Sequence, residues 1–114
     1  MTTRSVALII SPSREEAISA AHELAPLLIS AGISLFTISD VEVPGIAKVA
    51  HDQLPDIEAA VVLGGDGTIL RAAEVTLSRN IPLLGINMGH VGFMAEVNRP
   101  SISAIAECII GSNY

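Results

Sequence analysis

The chain alternates between short unbroken apolar runs and longer segments whose apolar residues recur every three to four positions. "SVALII" (Ser5 to Ile10) is rich in β-branched residues and lacks polar alternation, the pattern of a strand covered on both faces. A helical pattern follows, with apolar positions at Ala17/Ile18, Ala21, Leu24/Ala25 and Leu28/Ile29. Ser13 and Glu16 have capping-box spacing at its start, and Gly32 suits its C-terminal cap. Pro26 lies inside the pattern and predicts a kink or an early helix end. "ISLFTI" (Ile33 to Ile38) predicts a second strand and "AAVVL" (Ala59 to Leu63) a third. The stretch between them, Asp40 to Pro55, is expected to be the least regular and most mobile part. A helix is predicted from about Thr68 to Leu77 and a fourth strand over "PLLGI" (Pro82 to Ile86). Ser101 is placed to cap a last helix with apolar positions Ile102, Ile105, Ala106, Ile109 and Ile110, stopped by Gly111.

Strand and helix alternate throughout, which predicts βαβ units: a parallel sheet with helices on both faces, an α/β/α layered, Rossmann-like domain. In such sheets ligands bind beyond the carboxyl ends of the strands. Two glycine-rich loops leave such ends, after Leu63 and after Ile86, so they can share one crevice.

Composition narrows the setting. A chain of 114 residues is expected to be a single domain with a core large enough to need no staples. Half of its residues are hydrophobic, which suits a doubly covered sheet or a domain that meets another. The one cysteine, Cys108, cannot form an intramolecular disulfide and fits a reducing cytoplasm. A net charge of −6 without any basic cluster argues against nucleic acid or an anionic membrane as partner. The run "VALII" is too short for a signal peptide or a membrane span, so a soluble, cytoplasmic protein is expected.

The candidate chemistry sits in "VVLGGDGTILRAAE", Val61 to Glu74. Gly64, Gly65 and Gly67 can adopt positive φ and leave no Cβ in the way of a phosphate or ribose. The helix that begins beside them presents free N–H groups and a partial positive charge. Asp66 at that mouth either meets a ligand hydroxyl or serves as a turn residue or helix N-cap. Arg71 follows early in the helix, where a cation is mildly disfavoured, and its side chain points back toward the mouth. It either meets an anionic ligand there or pairs with Glu74 at the surface. In "GINMGHVGFMAE", Gly89 and Gly92 open the backbone again, and Phe93 either packs on a purine or ribose or fills the core. His90 either contacts phosphate or faces solvent. His22, His51 and Cys108 lack metal-ligand spacing. Neither G-x-x-x-x-G-K-[ST] nor G-x-G-x-x-G followed by an acidic residue is present, which disfavours a Walker-type ATPase and an ordinary dehydrogenase.

Taken together, "LGGDGTILRAAE" and "LLGINMGHVGFMAE" resemble the two N-terminal motifs of the ATP-dependent NAD kinases, in a style similar to actinobacterial members. The first motif is shared with lipid kinases and phosphofructokinases of the same superfamily, whereas the second is particular to NAD kinases. The resemblance covers essentially the whole chain, read as residues 1–114 of an N-terminal α/β domain, with the family's β-rich C-terminal domain expected to lie outside it. It implies phosphorylation of the adenosine-ribose 2′-hydroxyl of NAD by ATP to give NADP. By the same resemblance Asp66 accepts the proton; Asp66, Gly67, Leu70, Arg71 and Phe93 line the NAD site; Gly64, Gly65 and Thr68 shape the phosphate side. Met94 stands beside Phe93 where some relatives carry an aromatic residue. Mg²⁺ is implied as an ion carried by the phosphates with no protein ligand of its own, and a homo-oligomer is implied for the full-length protein. A chain holding only this half of the site is expected to be inactive alone. The competing readings are a catalytically dead nucleotide-binding or assembly domain, and a lipid or sugar kinase sharing "GGDGT".

Overall fold

The computed structural model describes residues 4–87 and 101–112. In chain order they form β1 (Arg4–Ile10), α1 (Glu15–Ser30), β2 (Ile33–Thr37), β3 (Ile46–Lys48), a 3-10 turn (His51–Gln53), β4 (Ala59–Gly64), α2 (Asp66–Arg79), β5 (Leu83–Asn87) and α3 (Ile102–Ile110). The five strands make one all-parallel sheet in the order β3-β2-β1-β4-β5.

The unbroken apolar runs are where the sheet is doubly covered. In β1, Val6, Leu8 and Ile10 join a core layer with α1 and α3, while Ala7 and Ile9 join a second layer with α2. β4 divides in the same way, Val61 and Leu63 to one layer and Ala60 and Val62 to the other. Period-two geometry sends successive side chains to opposite faces, so a central strand with a helix on each side must be apolar at every position. The central strand is thereby locked in register, because a one-residue slip would exchange its two faces.

Three local expectations differ from the structure. The N-cap of α1 is Arg14, with no side-chain capping bond, so Ser13 and Glu16 do not form a capping box; Ser13 Oγ instead lies 3.4 Å from Ser11 Oγ. The helix starts one residue later than the box requires, with Glu15 and Glu16 in a first turn that favours negative charge. Pro26 does not end α1, which continues to Ser30. Its missing N–H leaves the His22 carbonyl without the usual partner, and both residues are exposed, so water can serve that carbonyl. The irregular Asp40–Pro55 stretch contributes a strand after all: β3 pairs with β2 at Leu35↔Ile46, Phe36↔Ala47 and Thr37↔Lys48. A three-residue edge strand with little apolar burial carries almost no period-two signal.

The other caps behave as the sequence predicts. Gly32 follows α1 at φ +86°, the left-handed region that favours glycine. Ser101 Oγ accepts from the Ala104 N–H at 3.1 Å and opens α3. The far end of α3 is closed by Arg4. Its guanidinium donates to the Ile109 and Ile110 carbonyls, both at 2.7 Å, and pairs with Glu58 at 2.6 Å. A cation at a helix C-terminus satisfies carbonyls that have no intrahelical partner, and it ties α3 to the starts of β1 and β4. Among the described residues, no helix is long and apolar enough to cross a membrane.

Candidate functional site

The strand order locates the site. From β1 the chain steps outward through β2 to β3, then returns to lay β4 on the other side of β1. The carboxyl ends of β1 and β4 are therefore the topological switch point, where connections part in opposite directions and leave a crevice. Two segments meet there: Ser11 to Arg14 after β1, and the turn that Gly64, the last residue of β4, makes with Gly65. They are held together by Ser11 N–H donating to the Leu63 carbonyl at 2.9 Å, and Ser11 itself is buried. β5 ends level with β4, Leu63 opposite Ile86 and Gly64 opposite Asn87. The end of β5, from which the second glycine-rich stretch continues in sequence, thus lies beside the first turn; Phe93, Gly89, His90, Gly92 and Met94 lie outside the described residues.

The glycines of the turn matter for space. Only Gly32 and Gly45, among the described glycines, have positive φ, so Gly64, Gly65 and Gly67 do not use the conformational freedom open to them. A Cβ on Gly64 would lie 2.8 Å from both Cβ and Oγ1 of Thr68 and 3.1 Å from Cβ of Ser11. A Cβ on Gly65 would lie 2.7 Å from Nη2 of Arg14, whose guanidinium packs over the turn. A Cβ on Gly67 would meet nothing within 4 Å. Packing among the described residues accounts for the first two bare positions and not for the third.

Gly65 is the N-cap of α2 and its carbonyl accepts from Ile69 N–H at 3.1 Å. Asp66 is therefore the first residue of the helix and is exposed, not its cap. An acidic side chain in that first turn suits the positive end of the helix dipole. Leu70, four residues on and so on the same face, is 67% exposed.

The opposite flank of α2 borders a cavity of about 530 Å³ beside the switch point. Ile9, Ile38 and Val75 give it apolar walls, Thr68 and Arg71 line it from the helix, and Asp40 lines it from beyond the end of β2. Asp66, Gly67 and Leu70 are not among its lining residues. Of the sequence-predicted site residues, then, Gly64, Gly65, Asp66, Gly67, Thr68, Leu70 and Arg71 all lie on one turn and the first part of α2, but Arg71 faces the cavity with Thr68. Arg71 makes no ion pair with Glu74, and Arg14 none with any carboxylate, among the described residues. Both guanidinium groups are exposed cations near the glycine turn.

Sequence reasoning passed over Arg14 and Asp40. Arg14 follows the carboxyl end of β1 as Gly65 follows that of β4, and only the strand order reveals that the two ends adjoin. Asp40 is held by Lys48 Nζ at 2.6 Å, and that hydrogen bond together with the ammonium charge holds its carboxyl below the ordinary value. Ser39, next to it, accepts from Ile10 N–H at 2.9 Å and fixes the end of β2 against β1.

Among the described residues, no group of three or more His, Cys, Asp or Glu side chains is gathered in a way that would hold a metal ion. Among the described residues, Asp66 is the carboxylate of the turn itself. That donor set fits an ion whose other ligands are phosphate oxygens and water, as with magnesium on a nucleotide.

A family described as the ATP-NAD kinase N-terminal domain matches residues 46–114, more than half of the chain. The chain is 34% identical to the NAD kinase of Thermobifida fusca, across 99% of this chain and 38% of that protein. It is 34% identical to the NAD kinase of Cutibacterium acnes, across 98% of this chain and 37% of that protein. Identity to NAD kinase 2 of Streptomyces coelicolor is 33%, across 97% of this chain and 40% of that protein. The chain thus spans roughly two-fifths of the length of the curated relatives it matches.

Proposed function

The chain belongs to the ATP-NAD kinase N-terminal domain family, and on that premise we propose that it supplies the GGDG half of a site where ATP phosphorylates the adenosine-ribose 2′-hydroxyl of NAD. The observation that carries this reading is Gly67, with nothing among the described residues to keep it bare, next to an exposed carboxylate at a helix N-terminus. A backbone without Cβ at that position leaves room for a sugar or pyrophosphate against the first turn of α2.

In the proposed reaction Asp66 accepts a hydrogen bond from the 2′-hydroxyl and orients its oxygen toward the terminal phosphorus of the donor. A carboxylate is too weak a base to deprotonate a ribose hydroxyl in the ground state. In a loose phosphoryl-transfer transition state the proton can leave late, and Asp66 receives it as the O–P bond forms. Gly67 and Leu70, with Phe93 from the second loop, line the acceptor side; Gly64, Gly65 and Thr68 shape the phosphate side. Arg71 adds positive charge near the turn, which an acidic chain handling polyphosphates needs locally. Magnesium carried by the phosphates would supply neutralisation of the charge that develops on the transferred group.

Two measurements test this. Gly67→Ala in the full-length protein is expected to stabilise the fold slightly, by about 0.4–1 kcal/mol, because the native backbone accommodates alanine and the unfolded chain loses freedom. NADP formation by the same variant should nevertheless fall, through a raised KM for NAD. Unchanged kinetics would remove the reason offered for the bare position. The second measurement is ATP-dependent NADP formation by the 114-residue chain alone. No turnover is expected, since the chain spans only about two-fifths of its relatives and the acceptor's remaining contacts would come from the rest of the protein. Turnover would exclude a half-site.

A further inference from the structure

Resting on the kinase reading above, we propose that Arg14 is a positioning residue for the reaction: its guanidinium, seated on Gly65, holds the first turn of α2 and with it the Asp66 carboxylate. Arg14 is the N-cap of α1 and Gly65 the N-cap of α2, and the two helices pack on opposite faces of the sheet. One side chain therefore joins the starts of both helices across the carboxyl ends of the strands. Its backbone end is fixed. The Arg14 carbonyl accepts from the N–H groups of Ala17 and Ile18 at 3.1 and 3.2 Å, and Arg14 N–H donates to the Ser11 carbonyl at 3.4 Å.

The far end of that span is where α2 needs holding. Its N-cap makes no side-chain capping bond, and a glycine has none to offer. The first turn of a helix carries N–H groups without intrahelical partners, so it opens more readily than the turns behind it. Asp66 and Gly67 in that turn are exposed, yet Gly65 just before them is buried. The atoms nearest the place of its missing Cβ all belong to the Arg14 guanidinium: Nη2 at 2.7 Å, Nε at 3.1 Å and Cζ at 3.2 Å.

Charge does not explain this placement. Both helix N-termini carry partial positive charge, and Arg14 has no ion pair among the described residues. Shape does: a flat, rigid guanidinium fits closely over bare backbone, and a lysine ammonium on its flexible stem does not. A carboxylate that meets a hydroxyl in the transition state is sensitive to its place, and a shift of about 1 Å can cost about 10²-fold.

The test is a pair of mutant cycles in the full-length protein. Arg14→Ala is expected to lower kcat for NADP formation by about 10-fold or more, with the KM values for NAD and ATP within about twofold of wild type. Arg14→Lys, which keeps the charge, should lose nearly as much. Gly65→Ala pushes the guanidinium off its seat and should reproduce the loss, and the two changes together should cost no more than the larger alone. In an Asp66→Asn background, Arg14→Ala should change kcat by less than about twofold, which a general loss of stability would not give. Wild-type kcat in Arg14→Ala, or the same loss in both backgrounds, overturns the proposal. So does a raised KM for ATP that Arg14→Lys restores, which would make Arg14 a phosphate contact. Absence of NADP formation by the wild-type protein refutes the kinase reading instead. Amide hydrogen exchange then still decides the clamp. The Ile69 N–H, bonded to the Gly65 carbonyl at 3.1 Å, should exchange about 10-fold faster in Arg14→Ala, and an unchanged rate overturns it.

Discussion

Asp66→Asn in the full-length protein is expected to lose roughly 10²–10⁴-fold in NADP formation while keeping its fold. Asparagine has nearly the same shape and remains acceptable at the start of a helix, and Asp66 is exposed, so α2 has no packing to lose. What disappears is a charged acceptor: the amide cannot take the proton that the 2′-hydroxyl releases. The loss should fall on kcat more than on the KM for NAD, because the proton moves only in the transition state. Far-ultraviolet circular dichroism and a melting curve establish that the variant is folded. Turnover near that of the wild type in a folded variant would refute the role given to Asp66, and a KM-only effect would reduce it to a binding residue.

Gly64→Ala is expected to damage both the fold and the activity. Its added Cβ would meet the Cβ atoms of Thr68 and Ser11, which are fixed to backbone and cannot rotate away. Overpacking at such a place costs about 1–3 kcal/mol, a sizeable share of the stability of a small domain. The strain has two outlets, and both touch the site: α2 moves off the sheet with Asp66 on its first turn, or the loop after β1 moves with Arg14 at its end. Urea denaturation measures the first quantity and NADP formation the second. A fully stable variant would mean that the turn can relax without consequence. The contrast with Gly67→Ala is the informative comparison, because two glycines three positions apart in one motif then fail for opposite reasons.

How much of this could be read in the sequence follows from where each piece of physics is written. The central strands were legible, because a strand sandwiched between helices must be apolar at every position, and Val6 to Ile10 and Ala59 to Leu63 are. The cap of α3 was legible because Ser101 and Gly111 act through their own immediate backbone. The capping box at Ser13 and Glu16 was misread, since a start displaced by one residue satisfies the same apolar spacing. Of the two outcomes expected at Pro26, the early helix end does not occur, because its cost depends on whether the freed carbonyl faces water, which is a property of the packed helix. β3 was not legible: an edge strand is recruited by its neighbour's unpaired backbone more than by its own side chains.

The site divides along the same line. Gly64 to Arg71 form one contiguous turn, so the sequence presents them already together. Arg14 and Asp40 reach that turn only because β1, β2 and β4 lie side by side, and parallel strand order leaves no local mark. The motif presents its candidate residues side by side in the chain, while the neighbouring Arg14 cation and Asp40 carboxylate come to light only from topology.

The bond network of Arg4 bears on how the chain comes to be folded at all. Its guanidinium reaches carbonyls 105 and 106 positions downstream, and the strand that carries it occupies the middle of the sheet between partners from both halves of the described chain. During synthesis, β1 emerges early and must wait for β4 before its second edge is covered, and for α3 before its flanking layer is complete. An apolar strand with an open edge is the kind of segment that pairs wrongly with other chains. Nascent copies are therefore most exposed to aggregation, and most in need of chaperone shelter, in the interval before residue 110 clears the ribosome.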